Sequence, residues 1–259
     1  MPSRPVKTPP RKAAAQKRPT RAATGAPTGA KTKAPTGAKA PIGAKPKAKA
    51  KPEALRVEAE ALAGPQDFAP LFARLHDEHQ ADFLAARTLL PATAALARAV
   101  ISTLERGGKV LLCGNGGSAA DAQHIATELT VRFEAARRGL AAVALTTDTS
   151  TLTAAANDLG YAQVFARQVE ALGRPGDLLL ALTTSGNSPS ILAALTAARG
   201  AGIATACLTG RDGGEVAREG LADHCLIVPS AKTARIQEVH IFLGHLICAA
   251  ADAEFAWRG

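Results

Sequence analysis

Aromatic residues are scarce: one Trp, one Tyr and seven Phe in 259 residues, 3% in all. A core built on stacked rings is excluded. With 47% apolar residues, the interior must be made of Ala, Leu, Val and Ile, which suits helices laid on parallel strands better than an aromatic-rich sandwich. Cysteine is also sparse. Cys113, Cys207, Cys225 and Cys248 form no CxxC pair, and each lies in an apolar run. That argues against a zinc ribbon or a redox motif and reads as buried, reduced thiols of a cytoplasmic protein. No apolar run reaches about 18 residues without a charge or Gly break, so no membrane-spanning helix is expected. The N-terminus has no apolar stretch of the kind a secretory leader carries.

Acid is missing from the first 52 residues. That stretch holds 14 of the 31 basic residues and none of the 22 acidic ones, so it carries +14 while the remainder carries −5. The formal net charge of +9 is therefore a property of the tail, and the rest gives no compositional sign of nucleic-acid binding. Within the tail a short unit recurs as Pro27-Thr28-Gly29-Ala30-Lys31, Pro35-Thr36-Gly37-Ala38-Lys39 and Pro41-Ile42-Gly43-Ala44-Lys45. Without bulky apolar groups such a segment cannot offset its ordering entropy, and residues 1–52 are expected to be disordered. They would act as a solubilising tether or as a non-specific contact for a polyanion, which salt would weaken.

From residue 53 onward the pattern is that of one α/β domain. Helical spacing of Phe68, Leu71, Phe72, Leu75 and Phe83 predicts a helix over 68–88, and Pro91 opens another that runs to about 105. Short apolar strands are then expected at 109–113, 141–145, 177–182, 203–208 and 224–228. Helices fall at 118–133, 189–199 and 233–253, with further helical stretches after 145. Strands that are almost wholly apolar, alternating with helices, predict a three-layer open sheet of about five parallel strands with right-handed crossovers.

Two strand-to-helix turns have the composition of an anion site. One is Gly114-Asn115-Gly116-Gly117-Ser118 and the other is Thr183-Thr184-Ser185-Gly186-Asn187-Ser188. In each, small residues free backbone N–H groups, a helix start adds unpaired donors and partial positive charge, and hydroxyls supply neutral donors. Both lie at carboxyl ends of strands, where open α/β sheets bind ligands. Gly114, Gly116 and Ala119 also satisfy G-x-G-x-x-A, a weak dinucleotide signal by itself. The acid that should follow the second strand about 20 residues on is absent, since Asp148 is nearer 30 away.

These loops, together with Cys113, Asn157-Asp158, Leu208-Thr209-Gly210, Asp212-Gly213-Gly214 and Arg235-Ile236-Gln237-Glu238 in that order, resemble the sugar isomerase (SIS) fold and, within it, the phosphoheptose isomerases. The match runs along most of 68–253 and leaves the tail outside. It departs at Lys232-Thr233-Ala234, where the family often carries an acid. The resemblance implies conversion of sedoheptulose 7-phosphate to D-glycero-D-manno-heptose 7-phosphate, for lipopolysaccharide or capsule precursors, by a homo-oligomer, expected to be a tetramer. It implies substrate contacts at Asn115, Gly116, Gly117, Ser118, Asn157, Asp158, Thr183, Thr184, Ser185, Ser188 and Gln237. A relative with the same loops binds the replication initiator without catalysis, and that is the alternative reading. Asn157-Asp158 is otherwise simply a turn before Gly160.

Aldose–ketose isomerisation moves a proton between adjacent carbons and needs a base that can return it, plus a group for the developing oxyanion. His124 and Glu128 are i, i+4 on the helix that opens at the first loop, so they share a face. On the last helix, angles alone do not select among Gln237, Glu238, His240 and His245: His240 lies about 60° from Gln237 around the axis and His245 about 80° on the other side. The resemblance selects Gln237 and His245. It implies zinc held by His124, Glu128, Gln237 and His245, with Glu128 as base and His245 as its acid partner. Gln237 and His245 would stand roughly 12 Å apart along an ideal helix. His76, His79 and His224 read as structural or surface residues, Arg211-Asp212-Gly213-Gly214 as a turn, and Trp257 as a packing or oligomer contact.

Overall fold

The computed structural model describes residues 67–256. The expected tail disorder, the start of order at 53 and the role of Trp257 lie outside the described residues.

Helix α1 (Ala69–Ala85) passes through a 3-10 turn (Ala86–Leu89) into α2 (Leu90–Glu105). The helix expected over 68–88 changes its winding at Ala86. Pro91 has no N–H for the Arg87 carbonyl four residues back. The Leu90 N–H takes that carbonyl instead, in the tighter i→i−3 pattern. Taken as one helical run, Ala69–Glu105 is long and apolar enough to cross a membrane by length and composition. Leu96, Val100 and Leu104 are nevertheless buried against the protein's own interior, so its second half is a core helix.

Five strands follow: β1 (Val110–Gly114), β2 (Ala142–Ala144), β3 (Leu178–Leu182), β4 (Ala204–Gly210) and β5 (His224–Val228). They form one parallel sheet in the order β2-β1-β3-β4-β5. Every residue of β1 and β3 is buried, which explains why these strands read as unbroken apolar runs. Successive side chains point to opposite faces. Leu112, Leu178 and Leu180 meet α2, α3 (Gly117–Thr130) and α8 (Thr233–Phe255) on one face. Leu111, Leu179 and Cys207 meet the other layer, α5 (Ala166–Leu172) and α6 (Pro189–Gly200), through Val169, Ile191 and Leu195. Helix α4 (Thr149–Asp158) and the five-residue α7 (Gly214–Arg218) lie in the β2–α5 and β4–β5 connections.

Two helix boundaries differ from expectation. The helix expected over 118–133 stops at Thr130. The Arg137 guanidinium donates to the Glu128 and Leu129 carbonyls at 2.7 and 2.9 Å, taking acceptors that a further helical turn would need. The turn expected at 211–214 is present, but it leads straight into α7, which is too short to show helical periodicity.

The cysteines are all free; Cys113, Cys207 and Cys248 are buried and Cys225 is half-buried. Burial pushes the Cys113 and Cys248 thiols up to about 12, so they are poor nucleophiles.

Candidate active site

Strand order places the site. The chain leaves β1 for β2 on one side and returns to β3 on the other, so helices depart in opposite directions from the carboxyl ends of β1 and β3. That divergence opens a crevice in doubly wound sheets. The two hydroxyl- and glycine-rich loops are the ones that cap it.

At the β1 end, Gly116 has φ 57° and ψ −123°, a conformation that favours glycine. Gly117 then begins α3. A Cβ on Gly117 would come within 2.5 Å of Gln237 Nε2, so the glycine lets α8 lay its amide against the loop. At the β3 end, Thr183 Oγ1 and Ser188 Oγ lie 3.3 Å apart. The Ser188 side chain makes no capping bond to α6, which leaves its hydroxyl to the crevice. Asn187 braces the loop from outside: its Nδ2 donates to the Ser185 carbonyl at 2.9 Å and its Oδ1 accepts from the Glu215 N–H of α7 at 2.9 Å. A cavity of about 280 Å³ is lined by Asn115, Gly116, Gly117, Ser118, Leu182, Thr183, Thr184, Ser188, Thr233 and Gln237.

The expected phosphate-loop residues therefore come together, with two qualifications of place. Ser185 turns its hydroxyl to the Asn187 N–H at 3.2 Å and is not among the lining residues. Asn157 and Asp158 are the last two residues of α4, both exposed, with Asn157 Nδ2 donating to Asp158 Oδ1 at 2.7 Å. They are helical rather than a turn, and they too lie off the cavity lining.

Helices α3 and α8 run side by side in the same direction: Gly117 meets Gln237 at the loop end, and Ile125 fills the notch left by Gly244 further along. This registers His124 with His245. Their Nε2 atoms are 2.9 Å apart, and Glu128 Oε1 is 3.4 Å from His124 Nε2. The Phe133 ring packs on His245 with centroids 5.3 Å apart. Burial pushes His245 below the ordinary imidazole value; His124 adds to this and Glu128 opposes it.

The remaining candidates on α8 separate clearly. His240 is fully buried, its Nε2 lies 3.0 Å from the Thr209 carbonyl, and burial drives it down to about 4. Glu238 turns to Arg235 and to His79, whose Nδ1 is 2.8 Å from Glu238 Oε2. His79 thus joins α1 to α8. His76 lies exposed beside Asp77, and half-buried His224 opens β5.

Among the described residues, no three His, Cys, Asp or Glu side chains form a closed metal cage. His124, Glu128 and His245 approach one, and two imidazole nitrogens with a carboxylate oxygen are the donors zinc takes. The donor set fits zinc in kind. Gln237 stands apart from it, at the loop.

Three residues escaped the sequence reading. Asp121 lies three positions before His124 and seven before Glu128, the same stripe of α3, so helical spacing could have flagged it. Burial pushes its carboxyl up to about 6, opposed by His124, and its Oδ2 is buried without a partner. Tyr161 and Ser190 both bond the Asn115 side chain; no local motif announces either.

The SIS domain profile matches residues 81–210. A phosphoheptose isomerase of Roseiflexus sp. (strain RS-1) is 59% identical over 164 residues, 62% of this chain and 81% of the relative. That of Thiobacillus denitrificans is 55% identical over 170 residues, 65% of this chain and 86% of the relative. Among solved structures, a phosphoheptose isomerase from Neisseria gonorrhoeae is 45% identical with a TM-score of 0.66, covering 71% of this chain and 98% of its own. One from Francisella tularensis is 41% identical with a TM-score of 0.68, covering 73% and 100%. The chain belongs to the SIS-domain family and, within it, to the phosphoheptose isomerases.

Proposed function

We propose that this enzyme interconverts sedoheptulose 7-phosphate and D-glycero-D-manno-heptose 7-phosphate, supplying heptose precursors. The observation that carries the reading is the meeting of Glu128, His124 and His245 on the two helices that flank the phosphate-type loop at β1. A loop alone would suit any phosphosugar binder; a carboxylate and an imidazole beside it supply proton transfer.

The phosphate is held by the loop at 183–188 with Ser118 and the N-termini of α3 and α6, where backbone N–H groups and hydroxyls attract an anion without a full counter-charge. Gln237, Asn115 and Asn157-Asp158 bond sugar hydroxyls. Glu128 removes the C1 proton of the ketose; the C1–H electron pair forms the C1=C2 bond of the enediol, and O2 takes a proton from His245. Loss of the O1 proton to His245 and delivery of a proton to C2 from Glu128, whose carboxyl exchanges with solvent while the enediol lasts, then give the aldose. Zinc held by His124, Glu128 and His245, with Gln237 as a ligand only if its side chain swings over from the loop, would polarise the carbonyl and lower the cost of the enediolate.

Further parts of the reading have their own supports. Helix α1 has no buried residue and exposes Phe72 and Leu84, with Phe68 exposed just before it; uncovered apolar side chains suit a tetrameric assembly. Free, buried thiols suit the cytoplasm. The basic tail suits contact with a polyanion, to be tested by salt-titrated DNA binding of full-length and tail-deleted protein. The activity itself is tested by following purified protein with sedoheptulose 7-phosphate by NMR. Aldose phosphate should accumulate to an equilibrium ratio, and an unchanged spectrum at micromolar enzyme would refute the assignment.

A further inference from the structure

Tyr161 is the chain's single tyrosine, and it is 61% exposed. Packing therefore gives no reason for it. Its hydroxyl donates to Asn115 Oδ1 at 2.9 Å, and Asn115 Nδ2 donates to Ser190 Oγ at 2.9 Å. Ser190 is buried in the first turn of α6, behind the loop at 183–188. The Asn115 amide is thus gripped from the protein interior by Ser190 and from the solvent side by Tyr161.

An amide has two N–H donors and two acceptor lone pairs. These two bonds use one of each. One donor and one acceptor remain on a side chain that lines the cavity, and a sugar hydroxyl, which both donates and accepts, matches that pair. Tyr161 also opens the 3-10 turn Tyr161–Gln163, three residues beyond Asp158. Among the described residues, its bond to Asn115 is the side-chain hydrogen bond that fastens the segment bearing Asn157 and Asp158 to the β1 loop.

We infer that Tyr161 is a positioning residue for the phosphosugar: it sets the Asn115 amide so that its free donor and acceptor meet a substrate hydroxyl, and it ties the segment that follows Asn157 and Asp158 to the β1 loop. This rests on the reading of the cavity as the sugar-phosphate site. It makes Tyr161 a determinant of substrate affinity that acts through Asn115 and takes no part in proton transfer.

The test is Tyr161→Phe, which keeps the ring and removes the hydroxyl. KM for sedoheptulose 7-phosphate should rise roughly three- to tenfold, the worth of one hydrogen bond. The same variant should leave kcat within about twofold and the melting temperature unchanged, since the ring is exposed. Combined with Asn115→Ala, it should weaken substrate no further than Asn115→Ala alone, because Tyr161 acts through Asn115. An unchanged KM in Tyr161→Phe, or effects that multiply in the double variant, would overturn the inference. Calorimetric titration of the same proteins with sedoheptulose 7-phosphate keeps the two claims apart. Wild type that binds without turnover contradicts the isomerase reading, and the relative Kd of Tyr161→Phe then decides the role of the tyrosine. Wild type that does not bind removes both.

Discussion

His124 and His245 face each other nitrogen to nitrogen, 2.9 Å between their Nε2 atoms, from two helices that are 121 residues apart in sequence. One of the two nitrogens must give up its proton for that approach, by sharing it or by accepting a cation in its place. The register that creates the contact is set by Gly117 against Gln237 at one end and Gly244 against Ile125 further along.

If zinc is what the two imidazoles accept, purified protein should carry about one zinc per chain, and His124→Gln should lose most of it while still folding. Elemental analysis with circular dichroism reads both. Full activity in exhaustively chelated, metal-free protein would contradict the assignment.

The helices are clamped at their far ends by a buried ion pair. Arg137 Nε donates to Asp252 Oδ1 at 2.6 Å, and Asp252 Oδ2 accepts from the Glu134 and Ala135 N–H groups at 2.7 and 2.6 Å. Burial pushes the Asp252 carboxyl up, but the two amides and the guanidinium more than offset it and hold it below the usual carboxylate range. Removing one partner strands the other. Asp252→Ala should cost about 3–5 kcal/mol in a urea titration, more than exposed ion-pair variants such as Glu170→Ala, which should cost under about 1 kcal/mol.

Acid sensitivity should centre on His240. Its folded value of about 4 lies below the unfolded 6.5, so between those values the unfolded chain binds the extra proton. Stability from this group is complete above 6.5 and drains away as pH falls toward 4, on the order of 3 kcal/mol in all. His240→Gln can still donate to the Thr209 carbonyl but cannot take up a proton. It should flatten the melting-temperature profile between pH 6.5 and 4, and an unchanged profile would contradict this account.

Gly117→Ala should separate binding from stability. The new methyl meets the end of a flexible side chain, Gln237 Nε2 at 2.5 Å. Gln237 can swing away at little cost in folding, but out of the cavity. KM should rise several-fold with the melting temperature nearly constant. Gly186→Ala is the contrast: its φ of +65° and contact with the Gly213 carbonyl leave no flexible neighbour to yield, so the protein itself should be destabilised.

Much of this arrangement was legible in the sequence because its signals are local. Apolar runs between glycine turns marked all five strands, and Gly116-Gly117-Ser118 and the hydroxyl run at 183–188 marked the loops. What was not legible depends on contacts between distant segments. Arg137 ending α3, His79 pairing with Glu238, and Tyr161 reaching Asn115 each join residues whose types are unremarkable where they stand. The choice between His240 and His245 belongs to the same class: it turns on which side of α8 meets the sheet, and the helix angle alone left that open.

Solvent-proton exchange tests the central claim most directly. Wild type and Glu128→Gln would be incubated with sedoheptulose 7-phosphate in D₂O and followed by NMR for deuterium at C1 of the ketose and C2 of the aldose. Reversible proton removal by Glu128 predicts deuterium at both carbons with wild type and a rate lower by roughly 10²–10⁴-fold in the variant. No exchange with wild type, or equal exchange with both proteins, would contradict it.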